Sequence, residues 1–161
     1  MGILSNPYIS MCPGLRVSNF FCTRFRRETG EDFFTSTAFD SAFDDHVEVE
    51  VPTATIVNHR IVANDFSGHQ IMEALIASVG AGNEQMRMTY LKELIVNDRL
   101  GKDRWYLMFV PDKDGKIRVV CCIWCRGRIT LDVCPLTDHF SVGQTVLSVI
   151  LHHRSSPLSV N

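Results

Sequence analysis

The sequence predicts an α+β domain in which an antiparallel sheet of about five strands carries a two-helix hairpin packed on one face. Three observations lead there. Short apolar runs with period-two alternation stand at both ends of residues 46–134, two stretches with helical spacing lie between them, and a turn-rich tetrapeptide joins the two strongest strand runs. The elements read strand, strand, helix, helix, strand, strand, strand, with one further segment that suits helix and strand equally. Residues 1–45 read as an arm or irregular layer packed on the domain, 46–154 as the α+β domain and 155–161 as a polar tail.

His46 to Val51 sets Val47, Val49 and Val51 against Glu48 and Glu50, the alternation of a half-buried strand, and Pro52 ends it. Thr53 to Ala63 reads as a second strand. Ser67 followed by Gln70 makes a capping box, with Asp65 as another possible cap. Ile71, Met72, Leu75, Ile76 and Val79 then form one apolar stripe, which Gly80 and Gly82 stop. Asn83 caps a second helix in which Met86, Tyr90, Leu91, Leu94 and Ile95 recur at helical spacing as far as Leu100 and Gly101. Arg104–Pro111 and Lys116–Cys125 flank Asp112, Lys113, Asp114 and Gly115, a hairpin loop that lacks the later ligands of a calcium site. Ile129, Leu131 and Val133 alternate with Thr130, Asp132 and Cys134 in a last strand before Pro135. From Ser141 to His153 the apolar residues fall at helical spacing, yet the segment is rich in β-branched residues, which leaves helix and strand open.

A chain of 161 residues can bury a core of its own. Sixteen Lys and Arg against 18 Asp and Glu leave a net charge of −2, without the large basic excess that marks most proteins of nucleic acid or anionic membranes. Charge is unevenly placed. Residues 1–27 hold Arg16, Arg24, Arg26 and Arg27 with no acid, and residues 28–59 hold acids with no Lys or Arg. The seven-residue apolar run from Val119 to Cys125 is far short of the ~18 residues a membrane helix needs, and the first residues lack the basic region of a signal peptide. A cytoplasmic location with six reduced cysteines is the expectation. Cys122 and Cys125 form a C-x-x-C, but on a strand their side chains point to opposite faces. No metal is expected there, and no other cofactor.

No catalytic motif of fixed spacing is present. The candidates for acid–base chemistry are Asp138 and His139 beside Ser141, with Tyr106 and Cys134 joining them if a pocket at the sheet end gathers all four. Arg24, Arg26 and Arg27, interleaved with Phe20, Phe21 and Phe25, suit phosphate contact with base stacking, although pairing with the acidic stretch that follows satisfies the same arginines. The central hairpin is apolar on both sides. Trp105, Leu107 and Phe109 face one way, Tyr106, Met108 and Val110 the other, and Val120, Cys122 and Trp124 repeat the pattern on the partner strand. Two helices cover one face, and a bare second face would exceed what soluble monomers expose. The expected function is therefore a non-catalytic interaction or regulatory protein. It self-associates as a homo-oligomer or binds a protein partner through an apolar face that includes Tyr106, Met108, Val120 and Trp124. The alternatives are a small enzyme or small-ligand binder built on Asp138 and His139, and nucleic-acid binding through Phe20, Arg24, Phe25, Arg26 and Arg27.

Overall fold

The computed structural model describes residues 7–21, 32–62 and 65–152. The chain is α+β, but its centre is a seven-stranded mixed sheet in place of the five-stranded antiparallel one expected from the alternation. In chain order the elements are β1 (Tyr8–Ile9), β2 (Leu15–Arg16), α1 (Val17–Phe20), β3 (Asp32–Thr35), α2 (Thr37–Phe43), β4 (Val47–Glu48) and β5 (Ala54–Arg60). Then follow β6 (Phe66–Ser67), α3 (Gly68–Val79), α4 (Met88–Val96), β7 (Arg104–Pro111), β8 (Ile117–Cys125), β9 (Arg128–Cys134), β10 (His139–Phe140) and β11 (Thr145–Leu151). The sheet runs β1-β5-β11-β7-β8-β9-β3, with β11 parallel to β7 and β3 parallel to β9.

Three segments account for the extra strands and the mixed sense. The ambiguous run after Ser141 is β11, buried between β5 and β7 with Val146 on one face and Leu147 and Val149 on the other. Stiff β-branched side chains suit that central position. Residues 8–9 and 32–35 close the two edges as β1 and β3, strands of two and four residues that are too short to show a period in sequence. The polar tail, 155–161, lies outside the described residues. Among the described residues no helix is long and apolar enough to cross a membrane.

The two central helices do not form a hairpin on one face. Ile71 and Leu75 of α3 pack with Leu107, Phe109, Val119 and Val146. Leu91, Leu94 and Ile95 of α4 belong instead to the cluster of Tyr106, Met108, Val120 and Val149, together with the phenylalanines of α1, α2 and β3. Alternate residues of a strand point to opposite faces, so the connection between the helices passes through the plane of the sheet. It passes where β11 and β7 part. Their pairing ends at Leu147 and Met108, and beyond that point residues 83–86 lie between them. The Asn83 carbonyl accepts from Val149 N–H at 2.9 Å, Asn83 Oδ1 accepts from Leu151 N–H at 3.2 Å, and Met86 N–H donates to the Phe109 carbonyl at 2.7 Å. Gly80, at φ 93°, releases the chain from α3, and its N–H closes the last turn on the Ile76 carbonyl. Periodicity reveals that each helix has an apolar side, but not which sheet face that side meets.

The alternation over 46–51 is partly inverted. Val49 is 78% exposed and Val47 also faces out, whereas Glu48 is 5% exposed. Its carboxylate sits at the N-terminus of α4, where the N-cap residue Arg87 supplies no side-chain capping bond. Oε2 accepts from Met88 N–H at 2.8 Å, and Oε1 accepts from Thr89 N–H at 2.6 Å and from the Thr89 hydroxyl at 2.5 Å. A carboxylate there satisfies orphan helix donors and meets the positive end of the helix dipole.

The β7–β8 turn also holds a buried acid. Asp112 accepts from Asp114 N–H at 2.8 Å, Lys116 N–H at 3.0 Å and Arg118 Nε at 2.8 Å. Burial pushes its pKa up, but the Arg118 hydrogen bond, the two amide bonds and the Arg118 charge outweigh burial, and the net direction is down. A folded pKa below the unfolded one contributes stability above about pH 4, and that contribution is lost as pH falls through the folded value. Asp112→Asn is expected to lower stability by about 1–3 kcal/mol at neutral pH, with the gap to wild type closing in acid. Urea titrations of both proteins at neutral and acid pH check it, and coincident neutral curves would remove Asp112 from this role.

Candidate functional site

The hairpin residues expected to meet a partner are inside the fold. Tyr106, Met108, Val120 and Trp124 are all buried in the cluster shared with α4 and the N-terminal layer, Trp124 being 3% exposed. Phe20, Phe21, Phe33, Phe39 and Phe43 supply the cover, and the first three meet edge to face at 4.8–5.7 Å between centroids. The Tyr106 hydroxyl accepts from Gly101 N–H at 2.8 Å and donates to the Gly101 carbonyl at 3.2 Å, and burial raises its pKa. The chain itself covers the face for which a second subunit was expected.

The opposite face is covered unevenly. The single 12-residue helix α3, with Leu136 and Phe140, lies over Leu107, Phe109, Val119 and Val146. Toward the other end of the strands one full row has no such cover among the described residues. Trp105 pairs with Ile123, Ile123 with Thr130, and Thr130 with Phe34, which places the four on one face across β7, β8, β9 and β3. Trp105 is 54% and Phe34 49% exposed, with Ile123 and Thr130 half-buried between them. Cys125 and Arg128, both exposed, continue the row's outer side, and Asp132, held to the Ser36 hydroxyl at 2.6 Å, bounds its inner side. Among the described residues no strand pairs with the outer side of β3. Sequence alternation places Trp105 on this face. It does not bring Phe34 beside it, because the β3–β9 contact joins residues about a hundred positions apart.

The acid–base candidates stand apart from this strip. Asp138 and His139 are exposed at the β6–β10 pair, where His139 Nδ1 lies 3.2 Å from Asp65 Oδ1 and 3.1 Å from the Asp65 carbonyl. Tyr106 is buried on the opposite face of the sheet, and Cys134 turns to Cys121 at 3.3 Å. No concave site gathers the four. The hydrogen bond shared by the two thiols pushes the pKa of Cys121 up and that of Cys134 down, and burial lifts Cys122 to about 12. Among the described residues no group of His, Cys, Asp and Glu could hold a metal ion. A serine–histidine pair missed in sequence, His59 Nε2 with Ser148 Oγ at 2.7 Å, is a structural bond. Ser148 has no exposed surface to offer a substrate, and burial lowers the His59 pKa. Neighbouring strands β5 and β11 bring the two together from far apart in sequence.

Of the basic–aromatic arm, Phe20 is buried with the Lys92 ammonium 5.3 Å from its ring centroid, and Arg16 pairs with Asp45 at 3.2 Å. Arg24, Phe25, Arg26 and Arg27 lie outside the described residues. Comparisons with protein-family models, curated proteins and solved structures gave no match. The site is therefore read from its own geometry.

Proposed function

We propose that this chain is a non-catalytic protein-interaction module that takes an extended apolar segment of a partner protein along the β3 edge and over the adjoining strip. The observation that carries this is the row Trp105, Ile123, Thr130 and Phe34, which ends on a strand with no described neighbour on its outer side. An added strand bonds through its main chain and directs alternate side chains onto one face. That face already presents Phe34 and, further in, Trp105. Four side chains of which two are half exposed fall well short of the roughly 800 Å² per partner of a stable interface, which favours a short segment over a second copy of this chain. The thiols of Cys121 and Cys134, 3.3 Å apart and not joined as a disulfide, suit a reducing, cytoplasmic setting.

A random peptide library displayed on phage and panned against the chain tests the reading. The expected outcome is a consensus of alternating apolar residues whose synthetic peptide weakens about tenfold or more on Trp105→Ser and on Phe34→Glu. Peptides that bind the Phe34→Glu protein unchanged would sink it. So would a dimer in light scattering that Phe34→Glu dissolves, since the strip then belongs to a second copy.

A further inference from the structure

A second feature lies on the face that α4 covers, away from the strip. Arg60, Thr145 and Tyr106 are register partners in the adjacent strands β5, β11 and β7, and Arg104 carries the same face one step further along β7. The chain leaving α4 returns over them and encloses a cavity of about 350 Å³. Buried Ile56, Leu94 and Leu147 form its apolar wall, and exposed Arg60, Arg99 and Arg104 stand at its margin. Gly101 lies closely against this margin. A Cβ there would stand 2.9 Å from the Tyr106 hydroxyl and 3.1 Å from Arg104 Cδ, so a larger residue would make those two side chains shift.

Three guanidinium groups around one opening repel each other unless negative charge lies among them. Among the described residues no carboxylate stands within ion-pair distance of any of the three. The guanidinium fork matches the oxygens of phosphate and carboxylate, and Arg is less strongly hydrated than Lys, which suits it to an opening above an apolar wall. The volume lies at the small end of ligand cavities, roughly 300–1,000 Å³, enough for one compact molecule.

We propose that this cavity binds a small molecule with a phosphate ester head on an apolar body, the head held by Arg60, Arg99 and Arg104 and the body laid against Ile56, Leu94 and Leu147. It is independent of the partner-segment reading, because no residue of the strip lines the cavity.

Isothermal titration of the full chain with 1-naphthyl phosphate tests it, with 1-naphthol and inorganic phosphate as probes of body and head alone. Saturable binding is expected for naphthyl phosphate, tighter than for either fragment. It should weaken about tenfold or more on Arg99→Gln and again on Arg104→Gln, at unchanged melting temperature because both side chains are exposed. No saturable heat with wild type at about millimolar ligand overturns the proposal, as does binding that both variants retain in full. A short oligothymidylate that binds more tightly through the same arginines also overturns it and gives the surface to nucleic acid.

Discussion

Glu48→Ala is expected to destabilise the fold by about 3–5 kcal/mol, because it removes the acceptor of three buried donors at once. The variant strands Met88 N–H, Thr89 N–H and the Thr89 hydroxyl, all of which bond to this one carboxylate in a buried setting. Each orphaned donor costs about 1–3 kcal/mol. Since small domains are stable by only about 5–15 kcal/mol, a substantial unfolded fraction follows at modest urea. Glu48→Gln is expected to fall between the two, because it keeps one acceptor and turns an amide donor toward another N–H. A urea midpoint within the scatter of ordinary surface changes, about 0.5 kcal/mol, would show that α4 does not depend on this cap.

Trp124→Ala is expected to lower stability by about 3–5 kcal/mol through the cavity it leaves. Trp124 stands among the buried side chains of α4 and the N-terminal layer at 3% exposure, with the Lys102 ammonium 5.3 Å from its ring. Trp124→Phe keeps most of the volume, and among the described residues the indole N–H has no hydrogen-bond acceptor, so a smaller loss of about 1.5 kcal/mol or less is expected. Iodide quenching gives an independent check on the same chain. Trp105, half exposed, is expected to be quenched, and Trp124 to be protected. A freely quenched Trp124 with an unchanged urea midpoint would place it on the surface and return it to the role of partner contact.

The capping box of α3 shows what was legible locally. Ser67 accepts from Gln70 N–H at 3.2 Å, and Gln70 Oε1 accepts from Ser67 N–H at 2.9 Å. The Asp112–Gly115 turn and the facing alternation of β7 and β8 were equally legible, because all their partners lie within a few residues or across one tight hairpin. Trp105 of the strip was legible on the same grounds. Phe34 was not, and neither was the cavity margin, where Arg60 and Arg104 come from β5 and β7 and Arg99 from the turn after α4.

Short-range pattern in the chain determined the position of α3 and of the β7–β8–β9 meander, and the apolar side of α4, because caps, turns and side-chain period act between near neighbours. Helix α4 itself begins at Met88 and not after the expected Asn83 cap. Tertiary structure settled which face each helix covers, the path of residues 83–86 between β11 and β7, the strand state of 145–151 and the burial of Glu48 in preference to Val49. These outcomes depend on groups distant in sequence. An apolar helix side gains by meeting either face of a sheet that is apolar on both, and a carboxylate is stable inside only where another element brings it N–H and O–H donors.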